Sequence, residues 1–338
     1  DIERTVLPML RTVICRSCKC LPRRSQVPWL VTRDRALARA WRLLCATTVR
    51  PSPKANDRMT KQPGILPDIP AHSRFHEFRL TGTGISAVAL LASLDVTEDF
   101  VIGLGAALLE QAGIKVPGMV AFPQITHGEL SVPSTQLDLW VWVRGATPAA
   151  VAATSVQLLA QLQSQFELVE VTDGFKYDTG RDLTGYEDGT ENPVGDAAVK
   201  AAFHNDSSFV AVQKWQHDMD HFHTLSRDQQ DDVIGRRMDT NEEFDAPASA
   251  HVKRTAQEDF DPEAFLLRRA SPWRGDAGCG LMFVAFGCSF YAYDALLRRM
   301  VGLDDEITDQ MFTISKPLTG GYYWCPPLDA VKRLAVVS

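Results

Sequence analysis

Residues 184–193, TGYEDGTENP, set Asp188 between Gly185 and Gly189, with Glu187 beside it and an Asn-Pro pair closing the run. Glycine and Asn-Pro interrupt both helix and strand, so the stretch reads as a turn. Turns of this composition are commonly plain surface features. Flanking glycines also let a backbone bend sharply and approach a ligand closely, which suits a carboxylate that moves protons.

The chain has eight histidines, three of them in HDMDHFH. His217 and His221 are spaced to share a helix face, with His223 close by, which is metal-ligand spacing. Asp218 and Asp220 interleave and a strand-like run precedes them, so a polar strand-to-helix turn competes with that reading. His251 stands alone in ASAHVKRT. A lone histidine is usually structural or exposed, and gains a role where a neighbouring group needs an axial imidazole. In FLLRRASPW the alternation of a strand sends one arginine to solvent and the other, with Arg268 as the candidate, inward toward an anion or carboxylate. Cys15, Cys18 and Cys20 lack the second ligand pair of a zinc site. Cys279, Cys288 and Cys325 form no disulfide framework and fit a reducing compartment.

The elements that must position these groups alternate between strand and helix. FHEFRL, DLWVWVRG and FELVEVTDGF read as strands, and TEDFVIGLGAALLEQAG reads as a helix stopped by Gly113. Pro148 opens a second helix after DLWVWVRG. Further on, SSFVAVQKWQH and GLMFVAFG read as strands. SRDQQDDVIGRR, N-capped by Ser226, and YAYDALLRRMVG, stopped at Gly302, read as helices. The strand–glycine–helix order of 138–163 returns at 280–303, a weak duplication that suggests two α+β sandwiches. The junction falls in the aperiodic stretch 180–206, which contains Asp188. Ligand sites favour such junctions.

Residues 1–58 carry 11 Arg and 2 Lys against 4 acids, a net +9, whereas the remainder is −16. The opening segment lacks a clear period and reads as an extension outside the fold, with residues 59–190 and 191–338 as the two domains. It suits either an organelle-targeting leader or a segment without function, and the body reads as cytoplasmic. The acidic body argues against a nucleic-acid partner, and no stretch is apolar for long enough to span a bilayer.

GYEDGTENP resembles the G-x-x-D-G signature of dye-decolourising (DyP-type) haem peroxidases. VAVQKWQHDMDHFHTLS, VIGRR, SAHV, LLRRASPW, GLMFVAFG and LTGGYYWCPP follow in the order that family shows, and KQPGILPDI resembles the start of its compact bacterial members. The resemblance spans roughly residues 62–330. It implies two ferredoxin-like α/β sandwich domains, a dimeric α+β barrel-like arrangement, with haem b in the C-terminal one. By the same resemblance His251 is the proximal iron ligand, and Asp188 and Arg268 are the distal catalytic pair. Leu281 and Phe283 line the distal pocket, and Arg236 lies near the haem propionates. Asp309 is the candidate partner of the proximal histidine, one helical turn before the better-aligned Thr313.

The implied activity is reduction of hydrogen peroxide and oxidation of bulky organic reductants, such as dyes or phenolics, through a ferryl intermediate. Trp215, Trp273, Tyr322, Tyr323 and Trp324 are candidate electron relays to the surface. Relatives are commonly dimers or larger rings, so a homo-oligomer is expected. Bacterial relatives often carry a polar residue where this chain has Ala270. That departure leaves open a haem-binding protein for storage, delivery or iron release. A non-haem metalloprotein built on His217, His221 and His223 is the third reading.

Overall fold

The structure, a computed structural model, describes residues 60–330. The expectations for residues 1–58, including the cysteine cluster, lie outside them. The first half runs β1 (His72–Leu80), α1 (Gly84–Ala92), β2 (Phe100–Leu104), α2 (Ala106–Gln111), a hairpin of β3 (Ile125–His127) and β4 (Leu130–Val132), β5 (Leu139–Gly145), α3 (Pro148–Leu162) and β6 (Phe166–Phe175). After α4 (Gly195–Ala202) come β7 (Ser208–His217), α5 (Met219–Thr224), α6 (Arg227–Ile234) and α7 (His251–Arg254). The chain then forms β8 (Leu267–Arg268), β9 (Ser271–Gly275), β10 (Gly278–Gly287), α8 (Tyr291–Val301), α9 (Met311–Ile314), β11 (Ser315–Pro317) and β12 (Gly321–Cys325).

Two four-stranded antiparallel sheets result. The first is ordered β2-β5-β1-β6 and the second β12-β7-β10-β9. Numbered within each half, both orders are 2-3-1-4 or its reverse, the order of a ferredoxin-like α+β sandwich. The sheets meet at two seams, Trp324↔Leu104 and Gly174↔Trp273, and so close into a ring. The described residues all belong to one compact unit.

Strand alternation sorts the core. Val210, Val212, Met282, Val284 and Phe286 point between the sheets, against Phe75, Trp140, Trp142 and Tyr323. Phe209, Ala211, Phe283 and Ala285 point the other way, under the helices. Helix ends follow their sequence signals. Ser226 and Gln229 form a capping box on α6, which ends at Gly235 with φ +94°, and α8 ends at Gly302 with φ +86°.

One secondary-structure expectation fails. Phe100–Leu104, read as part of a helix, is a fully buried strand. A short apolar run buried on both faces has no period that separates strand from helix. Among the described residues no helix is long and apolar enough to cross a membrane.

Candidate active site

A cavity partly open to solvent lies between the second sheet and the helices over it. On the sheet side, Gln213, Trp215 and His217 line it from β7, and Leu281 and Phe283 from β10. The register pairs Leu281 with Trp215 and Phe283 with Gln213, so one face of two adjacent strands makes the wall. Arg268, on β8, and the turn 182–188 complete this side. Opposite stand His251 on α7, Leu296, Leu297 and Met300 on α8, and Met311 on α9.

Asp188 reaches the cavity because its turn is pinned from several directions. Gly185 and Gly189 adopt φ +93° and +74°, which side chains disfavour. Arg181 donates to the Gly185 carbonyl at 2.6 Å and pairs with Glu187 at 2.9 Å. Asn192 explains the end of the motif. Its Oδ1 accepts from the Arg268 backbone N–H at 2.8 Å, and its Nδ2 donates to the Arg268 carbonyl at 3.1 Å. The carboxylate turn and the arginine strand are thus locked together. Burial pushes the Asp188 carboxyl above its usual range, while the positive charge of Arg268 pulls it down.

Neither arginine of LLRR faces solvent. Arg269 is 7 % exposed and turns to the other side, donating to the Leu66 and Pro67 carbonyls. Arg268 faces the cavity, and its buried Nε has no protein acceptor.

His251 Nδ1 lies 2.7 Å from Asp309 Oδ2, and Asp309 is completely buried. Asp309 is fixed in turn by the Met311 backbone N–H, which donates to Oδ1 at 2.8 Å. In the neutral imidazole, a carboxylate that accepts from Nδ1 leaves the lone pair on Nε2.

Of the seven residues expected at the site, Asp188, Arg268, His251, Leu281 and Phe283 line the cavity and Asp309 backs His251. Arg236 does not line it. Its guanidinium is held by Glu191 at 2.7 Å, Glu243 at 2.5 Å and the Asn241 carbonyl at 2.9 Å. Nor does Ala270, buried at 1 % exposure, form part of the wall. The HDMDHFH histidines are separated: His217 enters the cavity wall, while His221 and His223 are exposed on α5. Among the described residues no group of three or more His, Cys, Asp and Glu is placed to hold a metal ion.

The sequence reading missed Asp182, whose carboxylate lines the cavity and bonds His217 at 3.0 Å. The available signal was strand alternation, which puts His217 on the same face as Gln213 and Trp215. The five suggested relay residues are all buried, none more than 8 % exposed.

Known proteins resemble this chain in both sequence and fold. Residues 179–330 match the family described as Dyp-type peroxidase, C-terminal. The dye-decolorizing peroxidase of Mycobacterium tuberculosis is 30 % identical over 233 residues, covering 64 % of this chain and 69 % of the relative. That of Rhodococcus erythropolis is 28 % identical over 281 residues, covering 78 % and 79 %. A variant of DypB from Rhodococcus jostii RHA1, solved in complex with haem, is 26 % identical with a TM-score of 0.75, covering 81 % of this chain and 98 % of that one. With its paired ferredoxin-like sheets and buried acid–arginine–histidine cavity, the chain belongs to the Dyp-type peroxidase family.

Proposed function

We propose that the cavity binds haem b, with His251 Nε2 on the iron, and that Asp188 and Arg268 act on hydrogen peroxide from the opposite wall. The observation that carries this reading is the facing of two unlike walls. One presents an imidazole whose Nδ1 is tied to Asp309; the other presents a carboxylate and an arginine with an unpaired Nε. The apolar lining from Leu281, Phe283, Leu296, Leu297 and Met300 fits a flat aromatic macrocycle.

Bound haem supplies the redox chemistry between peroxide and an organic reductant. The protein supplies the rest. Asp188 takes the proton from the near peroxide oxygen and returns it to the far one. The Arg268 guanidinium stabilises the charge that builds on the departing oxygen. Leu281 and Phe283 exclude water, which strengthens both effects. Asp309 keeps His251 oriented and basic. The storage or delivery reading is not favoured by the chain's membership of the peroxidase family.

The reductant is a bulky organic molecule in this reading. Exposed Leu168, Val169 and Val171 on β6 support a homo-oligomer, and the free Cys279, Cys288 and Cys325 support a reducing, cytoplasmic setting. The test of the ligand assignment is His251→Ala. It is expected to lose tight haem binding and to regain an imidazole-ligated spectrum with added imidazole. A variant that keeps the wild-type histidine-ligated spectrum would overturn it.

A further inference from the structure

Residues 62–68 run ahead of β1 and are held at both ends by buried side chains. At the start, Gln62 is 1 % exposed and accepts from the Ile102 backbone N–H at 2.8 Å. It donates to the carbonyls of Ile102 at 2.9 Å and Pro326 at 3.2 Å, across the seam between β2 and β12. At the other end two arginines hold the main chain. Arg144, on β5, donates to the carbonyls of Gly64, Pro67 and Asp68. Arg269, just past β8, donates to those of Leu66 and Pro67.

The Pro67 carbonyl serves both, accepting from Arg269 Nε at 2.9 Å and from Arg144 Nη2 at 3.3 Å. A guanidinium can only donate and a carbonyl can only accept, so the direction of each bond is settled. Arg144 and Arg269 are 6 % and 7 % exposed. Burial, with Arg269 close by, pushes Arg144 down to about 10, which leaves it charged at neutral pH. The segment's carbonyls fill the donors of two like charges that would otherwise be costly to bury.

Arg269 makes one more contact. Its Nη1 donates to the Arg268 carbonyl at 3.0 Å. One rigid, planar group therefore fixes the Arg268 main chain against Leu66 and Pro67. Asn192 holds the N–H and carbonyl of the same residue from the side of the Asp188 turn. Arg268 Nε has no protein acceptor, so the aim of that side chain depends on where its main chain is held.

We propose that residues 62–68 form a strap that positions Arg268 in the cavity: Arg269 links the strap to Arg268, and Arg144 anchors the strap to the first half of the chain. Neither Arg269 nor Arg144 lines the cavity. Both are positioning residues, and their effect on cavity chemistry passes through Arg268.

Two readouts on the haem-loaded protein test this. The first is hydrogen exchange at the Arg268 amide, read by mass spectrometry with residue-resolving fragmentation. It does not depend on what Arg268 does. Arg269→Lys keeps the charge and loses the fork. It is expected to speed exchange at Arg268 by roughly tenfold, the worth of one hydrogen bond. Val212, which lies between β10 and β12 in the sheet, should exchange as in the wild type.

The second readout is the affinity of the ferric protein for fluoride, an anion that a guanidinium facing the iron would hold. This arm rests on the function proposed above. Arg268→Leu is expected to weaken fluoride binding by roughly tenfold or more. Arg269→Lys should weaken it by a smaller factor and add nothing in the Arg268→Leu background, whereas a role in the fold alone would add in both. If Arg269→Lys does not hold haem, Arg144→Lys replaces it, with changes of the same sign.

Wild-type exchange at Arg268, or equal acceleration at Val212, overturns the proposal. So does a fluoride affinity that the strap variant lowers equally with and without Arg268, or leaves alone where Arg268→Leu lowers it. If Arg268→Leu binds fluoride as the wild type does, the placing of Arg268 opposite the iron fails, and the exchange result alone decides the strap.

Discussion

His251 Nδ1, on α7, and Asp309 Oδ2, two residues before α9, are joined at 2.7 Å, with the carboxylate fully buried and also bonded to the Met311 N–H. A carboxylate so placed makes the imidazole a stronger donor to a metal. Asp309→Asn retains the shape and loses the charge. It is expected to bind haem less tightly or react with peroxide more slowly, by about 10–100-fold. The iron reduction potential should also rise, because the ligand donates less. A spectroelectrochemical titration checks this; an unchanged potential would show that the bond orients His251 without tuning it.

Asn192 ties the Asp188 turn to the Arg268 strand through two hydrogen bonds to one residue's backbone. Asn192→Ala should therefore slow the peroxide reaction although its side chain does not line the cavity. Gly189→Ala should act at the same place. The position has φ +74°, and an added Cβ would sit 2.7 Å from Asn192 Nδ2. Left-handed backbone costs an ordinary residue roughly 1–2 kcal/mol. Both variants should retain haem and lose rate, as stopped-flow mixing with peroxide would show. Wild-type rates in both would mean that the lock is dispensable.

Glu77, 6 % exposed on β1, accepts from the Tyr323 hydroxyl at 2.8 Å across the space between the sheets. Burial pushes its carboxyl from 4.5 up to about 7, against the pull of that hydrogen bond. The folded pKa is raised, so folding holds a proton that the unfolded chain releases. The associated stability is complete below about pH 4.5 and is lost as pH rises to about 7, a span worth roughly 3 kcal/mol. Glu77→Gln removes the group that titrates. Denaturant titrations from pH 4.5 to 8 should show a decline in the wild type that is reduced in the variant. Equal slopes would assign the decline to other groups.

Much of this was legible because the signals are local. The glycines around Asp188, the Ser226 cap and the glycine stops of α6 and α8 are chain-neighbour effects, and the ordered motifs carried the family resemblance. Asp309 was accessible only through the resemblance, since its partner is 58 positions away in sequence. Arg236 has surroundings that the motif did not show: two glutamates bond its guanidinium. His217 is a second case. Its spacing to His221 suggested a shared helix face, but β7 extends through His217 and turns it into the cavity, away from its neighbours. Phe100–Leu104 failed because a doubly buried strand has no polar face to show its period.

The central claim is that Asp188 moves the peroxide proton while Arg268 stabilises charge. The most direct measurement is the rate of reaction with hydrogen peroxide, followed by stopped-flow absorption from pH 4 to 9, for haem-loaded wild type, Asp188→Asn and Arg268→Leu. Losing a positioned base costs about 10²–10⁴ in rate, and losing a fixed charge donor about 10²–10³. Those ranges overlap, so the shape of the profile decides. In the wild type the rate should rise with pH as Asp188 ionises, at a midpoint above the ordinary carboxylate range, because burial has raised it. Arg268→Leu should slow the reaction and keep a rising acid limb, displaced to higher pH by loss of the guanidinium that favours ionised Asp188. Asp188→Asn should slow it and flatten that limb. A wild-type rate and profile in Asp188→Asn would contradict the account and leave the proton transfer to another group.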